Sequence, residues 1–431
     1  MKNSVSVSRA TKPLIGEMRI VGDKSVSFRS LFFSVMTSAN VGIIGLNDGD
    51  DIKKTINAFE KLGVEFEFNE GDIIIQGRAA SLKQSDIALN LGGSATSARF
   101  MLGLLSGQHF SSSIYGNESL NKRPMSRLTD LLNDIGADIN LSGNSLPATI
   151  NSGRLRPSKI DIKYPSAQIQ TSLILALLNA EGESELSYSS SIRDHTEKMM
   201  QNFGFKFDLI HGSNKIIRFS GQQKIVGDLD YNICGDPSMA AYFIVAAILV
   251  PGSDLLLKDI YIQPNRIGYI EVLKNMCADI EIQNIRNIHN EEVADIRVRH
   301  SLLSAVEISA EMAPRMIDEY PIIAVAASFA NGKTIMHGLA ELKIKESDRI
   351  NSILISLSKL GIACHHDGDS MMIIGSRDIP EGGVSIDSFG DHRIVMSFAI
   401  FGLMTKKDVI ISDISPINAT FPSFFESLWK I

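Results

Sequence analysis

Seven short segments of this 431-residue chain set charged, amide or hydroxyl side chains at the entrance of a predicted helix. The first is Gly22-Asp23-Lys24-Ser25-Val26-Ser27-Phe28-Arg29, which follows a predicted strand (18–21) and leads into a helix expected from Ser30 onward. Such a turn presents free backbone N–H groups and the positive end of a helix dipole, an arrangement that favours an anion. Lys24 and Arg29 add positive charge there, and Ser25 and Ser27 add hydroxyl donors. The second segment, Leu91-Gly92-Gly93-Ser94-Ala95-Thr96-Ser97-Ala98-Arg99, has small residues that let a ligand come close to the backbone. In the third, Gly116 to Met125, Arg123 stands before Pro124, where helix is disfavoured. Its guanidinium is therefore left at a loop or helix entrance, able to fork onto a phosphate or carboxylate. The fourth is Ser166-Ala167-Gln168, followed later by Arg193-Asp194-His195-Thr196-Glu197. The fifth sets the adjacent carboxylates Asp318 and Glu319 before Pro321 and an apolar helix (322–330). The sixth is Lys343-Ile344-Lys345-Glu346-Ser347-Asp348-Arg349, and the seventh is Gly390-Asp391-His392-Arg393. One charge run alone is ordinarily a solvated face. The recurrence of charge in front of buried helices is what points to binding.

Two further segments only imitate sites. Asn331-Gly332-Lys333-Thr334 resembles the end of a phosphate-binding loop, but Ala327 stands where its first glycine belongs. His365-His366 with Asp367 suggests a metal, yet adjacent histidines on a strand point to opposite faces.

The elements that must position these segments repeat along the chain. An amphipathic helix, a Gly or small residue and a short strand recur as INAFEKLGVEFEF, LTDLLNDIGADINL, KMMQNFGFKFDL, EVLKNMCADIEI and LISLSKLGIACHH, and a sixth copy begins at FPSFFESLWKI. The markers Gly63, Gly136, Gly204, Cys277 and Gly361 recur roughly every 70–85 residues, longer than most solenoid units. Leu128, Leu131, Leu132 and Ile135 have the i, i+3, i+4 spacing of a helix face. Val64, Phe66 and Phe68 alternate as a strand does. The marker fits a helix C-terminus, where the left-handed conformation suits glycine.

Composition sets outer limits. With 44% hydrophobic and 21% charged residues the chain is an ordinary globular one, and its length suggests two or three domains. Its 42 Lys+Arg against 49 Asp+Glu give a net charge of −7, which argues against non-specific nucleic-acid or membrane-surface binding but leaves room for a local basic pocket. Three scattered cysteines, Cys234, Cys277 and Cys364, form no disulfide framework or CxxC metal site, so a reducing cytoplasm is expected. The first residues carry no apolar run of a signal peptide. The longest apolar stretch, 239–250, is too short to span a membrane and reads as a buried core helix.

The seven segments, in this order, resemble those of the EPSP synthase family, from about Lys12 to Phe425. GDKSxSxR, SLxxRPM, SAQ, RDHTE, the Asp-Glu pair before Pro321, KESDR and GDHR are jointly specific, and the GDKS and SAQ forms resemble the family's second class, which includes glyphosate-tolerant members. The resemblance implies an α/β (α+β) fold, the two-lobed enolpyruvyl transferase fold or inside-out α/β barrel. It has six βαβαββ repeats, three per lobe, about a pseudo-threefold axis. It implies one discontinuous lobe, 1–20 plus 235–431, a second lobe, 21–234, and an active site in the cleft between them. The implied reaction moves the enolpyruvyl group of phosphoenolpyruvate onto the 5-hydroxyl of shikimate 3-phosphate and releases phosphate, in the shikimate pathway to chorismate and the aromatic amino acids. No metal and no organic cofactor are expected. The expected partners are these two small molecules, with no nucleic acid and no membrane, and the expected state is a cytoplasmic monomer.

By the same resemblance, Lys24, Ser25, Arg29, Ser166, Ala167 (through its backbone), Gln168, Arg193, Asp318 and Lys345 bind shikimate 3-phosphate. Lys24, Ala95, Arg123, Gln168, Arg349 and Arg393 bind phosphoenolpyruvate. Asp318 is the expected base for the 5-hydroxyl and Glu346 the acid for the methylene carbon, with Lys24 also catalytic and Lys345 orienting the hydroxyl. Both substrates carry a phosphate and a carboxylate, which explains the many arginines in an acidic protein.

Some positions depart from the family pattern. Gly93 stands where Asn is usual and Ala95 where the second Gly is usual, so an amide is lost and a methyl group enters the phosphoenolpyruvate pocket. That methyl is expected to crowd glyphosate, which is longer than phosphoenolpyruvate. Phe28 replaces a polar residue, Gln170 stands where many second-class members have Lys, and Ser415 aligns with a first-class phosphoenolpyruvate-binding Lys. Three other readings stay open. The UDP-N-acetylglucosamine enolpyruvyl transferase is disfavoured because 116–125 contains no Cys. A non-catalytic shikimate 3-phosphate-binding homologue is motivated by Gly93 and Ala95 and opposed by intact Asp318 and Glu346. A nucleic-acid-end enzyme of related repeat architecture is opposed by the acidic balance.

Overall fold

Small polar residues write the helix starts of this chain. In the computed structural model, which describes residues 3–69, 72–79 and 81–431, six helices begin with an Asp or Ser whose side chain accepts a hydrogen bond from a backbone N–H of the first turn. These caps are Asp23, Ser94, Ser166, Asp236, Asp348 and Asp391. Each satisfies a donor that the helix itself leaves open. The first cap corrects the sequence reading. Because Asp23 Oδ1 accepts from Val26 N at 2.8 Å, the helix starts at Lys24 and not at Ser30.

The chain divides into two units, one of residues 22–233 and 288–291, the other of residues 1–21, 234–287 and 292–431. The 22–233 unit contains helices α1 (Lys24–Met36), α2 (Asp50–Lys61), α3 (Ala95–Ser106), α4 (Ser126–Asp134), α5 (Ala167–Leu177) and α6 (His195–Asn202). It also holds three four-stranded sheets. The middle repeat shows the order plainly: strand Leu89–Asn90, α3, strand Ser112–Tyr115, α4, then the hairpin Asp138–Ser142 and Ser145–Asn151. The third repeat follows the same βαβαββ order. The first borrows its opening strand, Leu229–Asn232, from the end of the unit, where it lies parallel to Asn40–Ile44. In every sheet one pair is parallel and the others antiparallel. Leu186 pairs with Ile160 on one side and Ile217 on the other, fixing which face of Glu183–Ser189 is buried.

The other unit contains α7 (Pro237–Leu249), α8 (Gly268–Asn275), the single turn α9 (Ala313–Met316), α10 (Tyr320–Ser328), α11 (Arg349–Lys359), α12 (His392–Gly402) and α13 (Phe424–Lys430). Ile15–Arg19 joins Asp254–Tyr261 in a parallel pair, completing the sheet of the fourth repeat. The sixth sheet has three strands, Ser385–Ile386, Val409–Ile411 and Val5–Val7, the last antiparallel to Val409–Ile411. Among the described residues there are six sheets, three per unit, and they stay separate; none closes into a barrel.

The first long helix of each repeat is the core element. All residues of α7, α10 and α12 are buried, and α10 packs against both of the others. A helix apolar on every side has no solvent face to offer, so it belongs inside. In the other unit α3 packs on α1 and α5. There Gly103 lets α3 approach closely, since a Cβ would run into the Ser172 carbonyl oxygen. The repeat markers take the predicted role: Gly63, Gly136, Gly204 and Gly361 have φ between 79° and 104°, and Cys277 has φ 73°. The phosphate-loop imitation resolves as expected, because Gly332 begins a strand, Gly332–Met336, and not a helix. His365 and His366 lie on the strand Ala363–Asp367.

Candidate active site

Three carboxylates of the 292–431 segment gather around one arginine. Arg349, 1% exposed, is the first residue of α11, set by the Asp348 cap. Its Nε donates to Asp391 Oδ2 at 2.8 Å, its Nη1 to Asp318 Oδ1 at 3.0 Å and its Nη2 to Glu346 Oε2 at 2.5 Å. Burial works against this charge, yet Asp391, Glu346 and Asp318 together hold the guanidinium far above its ordinary range. Lys345 Nζ lies 3.5 Å from the same Asp318 oxygen. Arg393, near the start of α12, donates through Nη1 to the Asp318 carbonyl at 3.0 Å, with Nη2 3.7 Å from Asp318 Oδ2. Burial opposes its charge too, and Asp318 is the first of the groups that raise it. Asp318 occupies a turn between α9 and α10, and Lys345 and Glu346 follow a 3₁₀ turn, Ala340–Ile344. All five expected residues of this unit, Asp318, Lys345, Glu346, Arg349 and Arg393, therefore meet.

Asp391 is the member that sequence reasoning left out. It is fully buried, and its Oδ1 caps α12 by accepting from Arg393 N at 2.9 Å while its Oδ2 accepts from Arg349. The Asp before an apolar run was a visible N-cap signal. Its second role depends on a partner that only the fold brings near.

The 22–233 unit carries the other expected residues at its helix starts. Lys24 opens α1, and its Nζ donates to Asp51 Oδ2 of α2 at 2.6 Å. Arg29, 2% exposed, donates from Nε to Thr196 Oγ1 at 2.8 Å, from Nη2 to Thr171 Oγ1 at 3.2 Å and from Nη1 to the Ser25 carbonyl at 3.0 Å. Thr196 thus explains why RDHTE matters beyond Arg193, which is half-buried just before α6. His195 and Glu197 of the same segment are buried supports: His195 Nδ1 lies 2.6 Å from Glu291 Oε1, and Glu197 Oε1 accepts from Tyr188 OH at 2.6 Å.

Ser166 caps α5, Ala167 opens it, and Gln168 Nε2 donates to Thr96 Oγ1 at 2.8 Å. Ala95, 7% exposed, opens α3 behind its Ser94 cap. Arg123 ends a 3₁₀ turn, Leu120–Lys122, in extended conformation before Pro124. Two cations that the sequence reading did not select, Arg99 and Arg127, stand with Arg123. Burial first, then the charges of Arg123 and Arg127, push Arg99 down to about 10. Crowded guanidiniums of this kind are a site for an anion.

The departures from the family pattern fall in different places. Phe28 is 1% exposed and part of the core, so its change from a polar residue concerns packing. Gln170 is fully buried beside Tyr188. Ser415 is exposed at the start of a 3₁₀ turn. At Gly93 a Cβ would lie 3.1 Å from Asn117 Nδ2, so a neighbouring amide already occupies the space above the missing side chain.

Each unit thus presents fixed cations at helix starts, and one adds the carboxylates Asp318, Glu346 and Asp391 held by Arg349. An enolpyruvyl transferase, NikO from Streptomyces tendae, superposes with a TM-score of 0.80 at 15% identity, covering 100% of this chain and 98% of that one. The fold is that of the enolpyruvyl transferases. An EPSP synthase from Acinetobacter baumannii has a TM-score of 0.87 at 36% identity over 99% of this chain and 98% of its own. The family model for EPSP synthase (3-phosphoshikimate 1-carboxyvinyltransferase) matches residues 8–428. The 3-phosphoshikimate 1-carboxyvinyltransferase of Citrifermentans bemidjiense is 39% identical over 97% of each chain, and that of Geobacillus kaustophilus is 38% identical over 96% of this chain and 97% of its own. The chain belongs to the EPSP synthase family.

Proposed function

We propose that the two clusters serve one reaction, in which the named residues act on the same pair of substrates. The reaction is that of the family: the enolpyruvyl group of phosphoenolpyruvate passes to the 5-hydroxyl of shikimate 3-phosphate, and phosphate leaves. The observation that carries the assignment of roles is the single buried guanidinium of Arg349 holding Asp318, Glu346 and Asp391.

Asp318 takes the proton of the 5-hydroxyl as its oxygen bonds to C2 of phosphoenolpyruvate, and Glu346 protonates the methylene carbon. The tetrahedral adduct then expels phosphate and returns a proton from the methyl group, restoring the double bond. Two carboxylates with opposite tasks need different surroundings. Asp318 has Lys345, Arg349 and Arg393 within 4 Å, whereas Glu346 is paired with Arg349.

Lys24, Ser25, Ser166, Ala167, Gln168 and Arg193, with Asp318 and Lys345, hold shikimate 3-phosphate, and Arg29 supports this set through the Ser25 carbonyl. Lys24, Ala95, Arg123, Gln168, Arg349 and Arg393 hold phosphoenolpyruvate. Fixed guanidiniums aimed at a phosphate lower the barrier without reorganising during the reaction. The chain is further proposed to work as a monomer, which rests on the family resemblance alone, and in the cytoplasm, where its three free cysteines would stay reduced.

Phosphate release from phosphoenolpyruvate, with and without shikimate 3-phosphate, is the test. Release that requires shikimate 3-phosphate and is lost in Asp318→Ala and Glu346→Gln supports the roles. Binding of shikimate 3-phosphate without release favours the non-catalytic reading motivated by Gly93 and Ala95.

A further inference from the structure

The side-chain amide of Gln168 is held at both ends. Its Oε1 accepts from Arg99 Nη1, and its Nε2 donates to Thr96 Oγ1 at 2.8 Å. Arg99 Nη2 reaches the Pro124 carbonyl at 3.4 Å, the residue next to Arg123. Arg99 and Thr96 are three residues apart on α3 and share one face of it. One guanidinium therefore ties together the α3 start with Ala95, the Arg123 loop and the α5 start with Gln168. All three carry residues assigned above to phosphoenolpyruvate.

We infer that Arg99 is a positioning residue that fixes which way the Gln168 amide faces; the inference rests on the assignment of Gln168 to phosphoenolpyruvate. An amide can turn over and exchange its donor and acceptor ends. With Arg99 in place the turned-over form would point an NH₂ at a guanidinium, donor against donor. The acceptor end must therefore face Arg99. Of the two Nε2 protons one goes to Thr96, and the other keeps a fixed direction for an oxygen of the substrate. Among the described residues Arg99 has no carboxylate partner, and both acceptors it uses are neutral carbonyl oxygens. Both contacts hold neighbouring groups in place, the Gln168 amide and the Arg123 loop.

A double-mutant cycle reads this directly, because residues that act as one unit show non-additive losses. Arg99→Met, Gln168→Ala and the pair are assayed for shikimate 3-phosphate-dependent phosphate release, with thermal midpoints recorded. A hydrogen bond to a charged group predicts a rise in the phosphoenolpyruvate KM of about 10- to 100-fold in Arg99→Met. The pair is expected to be no worse than Gln168→Ala alone, and the KM for shikimate 3-phosphate to change less. Losses that multiply in the pair overturn the inference, as does an unchanged phosphoenolpyruvate KM in Arg99→Met. A fall in thermal midpoint and kcat with KM unmoved assigns Arg99 a purely structural role and also overturns it. Arg99→Lys, which keeps the charge but not the fork, gives a smaller KM rise and serves if Arg99→Met does not fold. A wild-type protein with no shikimate 3-phosphate-dependent release, by contrast, overturns the functional reading itself.

Discussion

Asp318 and Arg349 form an unequal pair: the carboxylate is 23% exposed, while the guanidinium 3.0 Å away is 1% exposed. The buried partner anchors and the exposed one keeps access to a ligand. Because Arg349 also holds Glu346 and Asp391, its loss leaves three carboxylates facing one another. Breaking a buried pair by removing one partner typically costs about 3–5 kcal/mol. Arg349→Ala is expected to lose stability of that order in urea unfolding and to abolish phosphate release. Arg349→Lys, a point charge that cannot serve three acceptors in a plane, is expected to fold better than Arg349→Ala yet remain at least about 100-fold less active. Wild-type activity in Arg349→Lys would contradict the fork as the organising contact.

Acid stability tests the support behind Arg193. Burial alone would raise the pKa of Glu291, but His195 at 2.6 Å and Lys198 at 3.0 Å outweigh it and hold the group below the usual carboxylate range. A carboxylate lowered in the folded state binds its proton more readily when unfolded, so its contribution is complete above about pH 4.3 and is lost as pH falls through the lowered value. Thermal midpoints taken from pH 7 to pH 3 should show the wild type above Glu291→Gln at neutral pH, with the gap closing on acidification. A gap independent of pH would mean that the charge of Glu291 contributes nothing.

Cys277 sits at a helix end with φ 73°, where the four equivalent positions are glycines. A β-carbon there costs roughly 1–2 kcal/mol, against which glycine's greater freedom in the unfolded chain takes back part. Cys277→Gly is expected to stabilise the protein by about 1 kcal/mol, read as a rise in urea midpoint, with kcat and KM unchanged.

Ala95 opens α3 with its methyl group at the proposed phosphoenolpyruvate site. Ala95→Gly is expected to bind glyphosate more tightly while leaving the phosphoenolpyruvate KM within a few-fold. Equal inhibition of the two proteins would remove the methyl group as the cause of any tolerance.

Periodicity and motif spacing made much of this legible. The marker positions were readable because a left-handed helix end admits few residue types, and the helix entrances because their caps are short polar side chains next to apolar runs. What stayed hidden were pairings between distant segments. Asp51, which no motif marks, is a counter-ion of Lys24. Arg99 read as the end of a small-residue turn, and nothing in its neighbours announced Gln168, far along the chain. The grouping of 288–291 with the 22–233 unit left no mark either, since it goes with contacts between distant residues: Glu291 with His195 and Lys198, and His289 with Asn202, Tyr231 and Asn232. Local sequence specifies faces and ends; which faces meet is decided by the packing of α1, α3 and α5.

The sixth sheet sets a condition on the order in which the molecule assembles. Val5 pairs with Ile411, so the strand Val5–Val7 stays without its partner until Val409–Ile411, about 400 residues later, has left the ribosome. Pairing over such a distance belongs to the slow class of folding events, since a long loop must close before any contact rewards it. Until then Val7, later wholly buried, is exposed on an unpaired edge. On a smaller scale Asn40–Ile44, which pairs early with Asp72–Gln76, waits for Leu229–Asn232 on its other edge. Closing the first and last repeats therefore has to wait for segments made far apart in time.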